Sequence, residues 1–325
     1  MTDTTTHAGR RLLRTALPAV LAVALALGAC TPSRTAEVPT PGASASSAPA
    51  APPAAAPTCS DLTASYAPDP DTLDGDSASI REIRERGRLV VGVSADTLLM
   101  GARNPLSGRI EGFDIDMLRA VAESIFGDPD RIRFRVITSG QRLDVLQDGS
   151  VDLVARTFSI TCERWDEIAF SAEYLTAGQK VLVTRDSTAT GIADLDGRRV
   201  CAPDGTTTLA RLAEYPGVEA VPAATHTRCL VLFQQGKVDA ITGDDTILAG
   251  FAAQDPYAKV VGDAISAEPY GIGVAADDVE LVKYVNAVLD EVKADGRWEA
   301  SYRTWLRALG PAPEPPASVY GRTAP

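Results

Sequence analysis

Histidine, positive charge and long apolar runs are all scarce in this sequence. It has two histidines, His7 and His226, and no Cys-x-x-Cys pair, so a zinc site lacks its usual ligands and we expect no metal or cofactor. Lysine and arginine number 31 against 43 acidic residues, a formal net charge of -12 at pH 7. This charge argues against nucleic acid or an anionic membrane surface as a partner, because either would repel the chain.

The first thirty residues have the composition of an export signal. Arginines at positions 10, 11 and 14 precede an apolar run over residues 16–29. The run is shorter than the roughly 20 apolar residues that span a membrane. It ends in Leu27-Gly28-Ala29-Cys30, which resembles the lipobox of bacterial lipoproteins, where the cysteine is lipidated and begins the mature chain. We predict a signal peptide at residues 1–29 and lipidation of Cys30; the alternative is an ordinary signal peptide that happens to contain this cysteine.

Two further segments are predicted to lie outside the folded region. Residues 30–58 consist mainly of Ala, Pro, Ser and Thr, which favours a flexible tether between a lipid anchor and a globular part. Residues 311–325 are again rich in Pro and Ala and are predicted to be a flexible tail that adds no core. About 250 residues remain, which is enough for two lobes of ordinary size.

Four cysteines remain once Cys30 is assigned to the lipid. Exported proteins usually pair such an even set, and the set here is Cys59, Cys162, Cys201 and Cys229. The sequence allows three pairings. We favour Cys201 with Cys229, because both fall in one predicted lobe about one βα unit apart, which leaves Cys59 for Cys162. The alternative is four free buried thiols.

Apolar patterns alternate between strand and helix along the folded region. The run LVVGVS at residues 89–94 is typical of a buried strand, and residues 113–125 carry apolar side chains at helical spacing. The order β-α-β-α-β predicts a mainly parallel sheet. Further strands are predicted at residues 134–137, 151–154, 180–184, 200–202, 218–221, 239–242, 259–261 and 270–275, and further helices at residues 143–147, 209–214, 228–235, 245–254, 279–295 and 297–309.

The order of these elements predicts two lobes of an α/β fold. Lobe 1 comprises residues 59–178 and 269–310, and lobe 2 is inserted over residues 179–268. The chain then crosses twice between the lobes, and two crossing strands make a hinge. In such folds ligands bind in the cleft at the carboxyl ends of the strands.

Several blocks in this order resemble the family 3 extracellular solute-binding proteins, the amino-acid receptors of ABC importers. The blocks are GRLVVGVSAD, EGFDIDMLRAVAE, LQDGSVDLVARTFSITCERWDEIAFSAEYL, LDGRRVCAPDGTTT, QQGKVDAITGDDTIL, YGIGV and DGRWEASYRTWL. Together with the lipobox and tether they look most like the actinobacterial glutamate and glutamine-type lipoproteins. The resemblance implies a periplasmic-binding-protein fold of type II, no enzymatic activity, and a location on the extracytoplasmic face of the cell membrane through the lipid anchor. The implied partners are a small amino acid and either an ABC permease or a membrane sensor.

An amino-acid ligand needs a cation for its α-carboxylate and an anion for its α-ammonium. Arg164 offers a planar fork for bidentate carboxylate binding, and in the family the arginine of this motif has that role. Asp244 matches the family's ammonium partner, with Asp245 capping the next helix, although the two roles are exchangeable. Ser159 and Thr157 match ligand-contacting positions at a strand end. The alternatives are a solvated arginine and local caps.

A second anion-binding element is expected across the cleft. Thr206 and Thr207 precede a helix, where free N–H groups and the helix dipole favour a carboxylate, although a simple helix cap is the alternative. Asp96 is expected to add ligand or hinge contacts, or else to cap its own loop.

The preference between acidic and amide ligands is expected to depend on two further arginines. Arg103 and Arg156 are candidates to meet an acidic side chain, which favours aspartate or glutamate over glutamine or asparagine, because an unpaired buried guanidinium is costly. Both are alternatively surface arginines. Phe158 is expected to form an apolar wall of the site or part of the core. The rival hypothesis is a dehydratase or lyase on the same fold, for which Glu173 is the available acid or base outside the aspartates.

Overall fold

The computed structural model describes residues 61–74 and 77–323. The predicted signal peptide and tether, with Cys30 and Cys59, lie outside the described residues. The helices are α1 (Ala78–Arg86), α2 (Phe113–Phe126), α3 (Arg142–Gln147), α4 (Cys162–Trp165), α5 (Thr207–Arg211), α6 (His226–Gln234), α7 (Asp245–Gln254), α8 (Val279–Ala294) and α9 (Arg297–Trp305). Within the described ranges, no helix combines the length and the apolar character that crossing a membrane requires.

The strands are short except for the one that links the lobes. They are β1 (Ser65–Tyr66), β2 (Leu89–Val93), β3 (Asp96–Thr97), β4 (Gly101–Arg103), β5 (Ile110–Glu111), β6 (Ile132–Val136), β7 (Leu153–Val154), β8 (Ala169–Phe170), β9 (Leu175–Thr184), β10 (Arg199–Pro203), β11 (Glu219–Ala223), β12 (Ala240–Asp244), β13 (Ala258–Val261), β14 (Ala267–Tyr270), β15 (Gly273–Val274) and β16 (Tyr320–Arg322). A small sheet of β3, β4 and β5 lies between β2 and α2 in the chain.

Lobe 1 is built on a sheet in the order β6-β2-β7-β15-β8. Helices α2, α8 and α9 pack their apolar faces together, and the ring of Phe113 meets Trp298 edge-on at 5.8 Å. Helix α2 begins directly after Gly112, whose φ is +142° and where an added Cβ would lie 2.3 Å from the Met100 carbonyl oxygen. A side chain does not fit at this close approach, so glycine is required there, and α2 begins at the next residue.

Lobe 2 is built on a sheet in the order β11-β10-β12-β9-β13. Its core includes Leu182, Ile241 and Phe251. A disulfide joins Cys201 on β10 to Cys229 on α6, which confirms the favoured pairing. Cys162 is also disulfide-bonded, while its predicted partner Cys59 lies outside the described residues.

Strands β9 and β14 connect the two lobes. The first half of β9 pairs antiparallel with β14, and its second half pairs with β12 and β13 inside lobe 2. Asp245 accepts a hydrogen bond from the Gly178 amide of β9 (3.2 Å), so the start of α7 is tied to the middle of this link. The two crossing strands therefore form one paired ribbon between the lobes.

The predicted β-α-β-α-β unit is parallel, since β2 pairs in parallel with β6 and β7. Each sheet also contains a strand that runs against its neighbours, β15 in lobe 1 and β9 in lobe 2, which the sequence did not indicate. One expectation is wrong. The tail is not simply flexible, since β16 pairs in parallel with β1, and Tyr320 donates a hydrogen bond to Asp290 on α8 (2.6 Å). The proline-rich composition correctly indicates little core but misses the backbone pairing.

Candidate ligand-binding site

The residues that follow three strands converge on a small cavity between the lobes. Ser159 follows β7, Thr206 follows β10, and Asp244 ends β12. The cavity is lined by Arg142, Thr157, Ser159, Thr206, Thr207, Thr208, His226 and Asp244. Its volume is about 10 Å³, room for about one water molecule. An amino acid is many times larger, so the lobes must separate, or their side chains must move, to admit one.

The lobes touch directly across this cavity. Arg142 and Arg164 of lobe 1 both donate to the Gly205 carbonyl of lobe 2, at 2.8 and 3.2 Å. Gly205 has a φ of +70°, and an added Cβ there would lie 2.7 Å from the Cα of Gly140 in lobe 1. The Thr227 hydroxyl donates to the Asp96 carbonyl at 3.1 Å. This arrangement is the closed form of a hinged pair of lobes.

Arg164 lies on the single turn of α4, whose amide end is capped by the Thr161 hydroxyl (3.2 Å). Its guanidinium donates to the Ser159 carbonyl at 2.5 Å. Burial lowers the pKa of Arg164, and the nearby carboxylates of Glu268 and Asp244 oppose that shift. The charged group contacts the lining residue Ser159 but does not itself line the cavity. A ligand carboxylate that replaces the Gly205 contact would reach it.

Arg142 is the central cation of the cavity, and the sequence analysis missed it. Its side chain is 3% exposed, and it donates to the carbonyls of Ser139 (2.9 Å) and Thr157 (3.1 Å). Burial, with Arg164 and Arg156 nearby, lowers its pKa well below the usual value. None of the ion pairs in the described part of the chain includes it. The sequence around Arg142 contains no recognisable motif. An arginine in a short helix is ordinarily solvated, so nothing in the sequence indicated that this one is buried.

Phe158 lies beneath both guanidinium groups. The Cζ atoms of Arg142 and Arg164 are 4.4 and 5.1 Å from its ring centroid, and its edge meets Phe170 at 4.9 Å. An aromatic face attracts a cation held over it. The ring is part of the core of lobe 1, as one of the two predicted roles had it, and it supports the two guanidinium groups without itself lining the cavity.

The opposite half of the site is acidic. Asp244 is 4% exposed; it accepts from the Tyr270 hydroxyl at 2.5 Å, while its Oδ1 has no partner among the described residues. Burial and the charge of Glu268 raise the pKa of Asp244 to about 7. Glu268 accepts from the Thr207 hydroxyl at 2.7 Å. Glu268 and Tyr270 come from β14, which the sequence indicated only as a crossing strand.

His226 also lines the cavity without having been predicted. It is the first residue of α6 and is 3% exposed. Burial and the charges of Arg156 and Arg142 lower its pKa well below the usual value, so it is neutral at neutral pH. Its Nδ1 has no hydrogen-bond partner in the described part of the chain.

Some predicted site residues have hydrogen-bond partners within the protein, although Thr157 and Thr206 among them also line the cavity. The Thr206 hydroxyl lines the cavity but also accepts from the Leu209 amide (3.1 Å), so it caps α5 as the alternative proposed. Asp96 is exposed and accepts from Ser94 at 2.8 Å, and its backbone carbonyl accepts from Thr227 of lobe 2. The amide of Thr157, held at a φ of +41°, donates to the buried Asp114 at 2.8 Å.

The two predicted specificity arginines are not brought to the cavity. Arg103 is exposed and donates to the Gly108 carbonyl at 2.7 Å. Arg156 is 1% exposed and donates to the Ile137 carbonyl (2.8 Å) and the Ser139 hydroxyl (2.5 Å), so it supports the loop that Arg142 binds. Glu173, the candidate acid or base of the rival hypothesis, accepts from Thr176 at 2.5 Å and does not line the cavity.

Comparison with known proteins gives a consistent picture. Residues 89–308 match the model of the bacterial extracellular solute-binding proteins, family 3. The chain is 35% identical to the ABC transporter glutamine-binding protein GlnH of Bacillus subtilis over 70% of this chain and 85% of that protein. It is 34% identical to the glutamate-binding protein GluB of Corynebacterium efficiens, over 66% and 77% of the two chains. The solved ancestral amino-acid-binding protein AncCDT-1, a precursor of cyclohexadienyl dehydratase, superposes with a TM-score of 0.65 at 30% identity, over 70% and 99% of the chains.

Proposed function

Because this chain belongs to family 3 of the bacterial extracellular solute-binding proteins, we propose that it captures glutamate or aspartate outside the cytoplasm for an ABC importer. Its relatives are substrate-binding proteins rather than enzymes, and this chain is likewise a binding protein. The two relatives above are named as glutamine-binding and glutamate-binding proteins, which supports a ligand among the acidic or amide amino acids.

Opposed charges on the two lobes support this proposal. Arg164 and the amide end of α5 bind the ligand's α-carboxylate, and Asp244 binds its α-ammonium. Each lobe supplies part of the set, so a ligand that bridges them stabilises the closed form. The open protein waits for ligand, and the closed protein is the form presented to the permease.

The buried charge of Arg142 favours an acidic ligand over an amide. The guanidinium N–H groups of Arg142 donate to backbone carbonyls, and burial destabilises the charged form of this side chain. The charge of Asp244 favours the charged form of Arg142, but Asp244 is assigned to the ligand's α-ammonium. A side-chain carboxylate would add a direct counter-charge in a site of low dielectric, whereas a side-chain amide would not. This is the observation that carries the choice of glutamate or aspartate.

We expect Arg142→Met to convert the preference from acid to amide. Affinity for glutamate should fall by roughly 100-fold, because breaking a buried charge pair costs about 2–5 kcal/mol, whereas affinity for glutamine should change by less than about threefold. Isothermal calorimetry of the purified protein against the twenty amino acids measures both. Arg185→Met is the matched control, since Arg185 also donates to a backbone carbonyl, that of Pro256 at 2.6 Å, but lies on the outside of lobe 2.

Two calorimetric results would contradict this proposal. If the unmodified protein binds none of the twenty amino acids at millimolar concentration, the proposed function is wrong. If it binds glutamate and Arg142→Met leaves that affinity unchanged, Arg142 does not read the ligand side chain.

We also propose that Cys30 carries the lipid anchor. The basic stretch, the apolar run over residues 16–29 and the ending Leu-Gly-Ala-Cys support this assignment. In a bacterial host fed labelled palmitate, the unmodified protein should incorporate label and partition into detergent, and Cys30→Ala should remain unlabelled and aqueous. Labelling that survives Cys30→Ala would show that the anchor lies elsewhere.

A further inference from the structure

Helix α4 places Arg164 but is too short to hold its own position. It spans four residues, Cys162–Trp165, and a single turn is not stable in isolation. The place of the Arg164 guanidinium therefore depends on what α4 packs against. Its first residue, Cys162, is disulfide-bonded, and its last residue is Trp165.

Trp165, the last residue of α4, is held by residues from both ends of the described part of the chain. Its indole N–H donates to the Leu62 carbonyl at 3.0 Å, and the edge of Tyr66 meets its ring at a centroid distance of 6.2 Å. The Cζ atom of Arg322 lies 3.6 Å from the centroid of the Trp165 ring. A guanidinium stacked at this distance on indole is a favourable cation–π contact.

Arg322 is itself fixed by two elements of lobe 1. Its Nε donates to the Ala64 carbonyl at 2.8 Å, and it lies opposite Tyr66 in the parallel pair of β1 and β16. Two residues earlier, Tyr320 donates to Asp290 of α8 at 2.6 Å. The guanidinium therefore has little freedom, and it transmits the position of β16 to the indole of Trp165.

We infer that Arg322 is a positioning residue for ligand capture: from the C-terminal strand it fixes Trp165, and through α4 it aims the Arg164 guanidinium at the ligand carboxylate. This inference rests on the proposed function. A receptor whose binding groups are already ordered loses less conformational entropy when it binds. Removal of the stack leaves Arg164 chemically intact but less well aimed.

Arg322→Ala should weaken amino-acid binding by about tenfold, the size of effect expected from one well-ordered cation–π contact. Arg322→Lys keeps a cation over the indole and should recover part of that loss. Tyr320→Phe is the matched control: it removes the bond to Asp290 from the same strand but leaves the stack. It should lower the melting temperature without changing affinity. Calorimetry and thermal melts on the oxidised full chain measure both quantities.

Hydrogen exchange gives a second measurement that does not need a ligand. Peptides that cover residues 161–168 should exchange faster in Arg322→Ala than in the unmodified protein, and should not do so in Tyr320→Phe. An unmodified protein that binds no amino acid overturns the proposed function and this inference with it. An unmodified protein that binds, with equal affinity and equal exchange in Arg322→Ala, overturns the inference alone. The inference also fails if Tyr320→Phe weakens binding as much as Arg322→Ala does.

Discussion

Replacement of Arg164 by lysine should weaken amino-acid binding by roughly 100-fold or more, although the positive charge is retained. The guanidinium presents two parallel N–H groups that match a carboxylate, and an ammonium on a flexible stem cannot reproduce that fork. In the closed protein these donors already reach the carbonyls of Ser159 and Gly205, one in each lobe. Lysine would therefore lose ligand contacts and one contact between the lobes.

The measurement is calorimetry with glutamate at neutral pH. Arg164→Ala should show no binding at millimolar ligand. Arg303→Lys should behave as the unmodified protein, because Arg303 is exposed and its ion pair with Glu299 is also exposed. A Kd for Arg164→Lys within about threefold of the unmodified value would show that charge alone suffices. The α-carboxylate would then have to bind elsewhere.

Asp244→Asn should abolish binding and yet make the ligand-free protein more stable at pH 8. The ammonium of the ligand needs a carboxylate partner, and asparagine offers none. Burial raises the pKa of Asp244 to about 7 from an ordinary value of 3.8, so the folded protein holds this proton more tightly than the unfolded chain does. Stability therefore falls as the pH rises from about 4 to about 7, and above 7 the folded state carries the full cost of a buried charge.

Thermal melts at two pH values measure the sign of the stability change in Asp244→Asn. At pH 8, Asp244→Asn should melt at least about 3 °C higher, the shift that roughly 1 kcal/mol produces in a domain of this size. The difference should vanish near pH 4, where Asp244 is protonated. Asp114, with a pKa raised to about 6 by burial, titrates in the same range, so the comparison with the unmodified protein is essential.

Asp194→Asn is a control of opposite sign. Asp194 is in the same lobe, and hydrogen bonds from Thr190 lower its pKa, so its removal should reduce stability at pH 8.

The protonation of Asp244 also predicts that the affinity of the unmodified protein for its ligand falls by about tenfold for each pH unit below 7, since one proton must leave before the ammonium binds. A pH-independent Kd between pH 5 and 8 would contradict this.

Longer elements could be predicted from the sequence because hydrophobic spacing marks them. Helix α7 is confirmed at residues 245–254, and β2 lies where its apolar run predicted. The strands that were missed are very short: β3 and β8 have two residues each, and β4 and β16 have three. A pair of residues shows no periodicity, and their pairing is decided by contacts that are distant in sequence.

The site residues also differ in how far the sequence predicts them. Residues that follow predicted strands, such as Ser159 after β7 in lobe 1 and Asp244 at the end of β12 in lobe 2, come together because the carboxyl ends of strands in both lobes face the cleft. Arg142 and His226 reach the cavity from helices, and nothing local distinguishes them from solvated residues. For Arg103 and Arg156 the sequence supplied the charge but not the direction of the side chain. Direction depends on partners such as Gly108 and Ile137, which only the folded chain provides.

The pairing of β1 with β16 has a mechanical consequence. Asn286 donates to Ser65 (2.9 Å) and to the Tyr66 carbonyl (2.8 Å), and Ser65 donates to the Phe170 carbonyl (2.7 Å), so the first described strand is tied into lobe 1 at several points. A force applied to the chain ahead of residue 61 is therefore carried within lobe 1. It does not pass through the ribbon of β9 and β14. We therefore expect tension on the amino-terminal end to leave the link between the lobes unloaded.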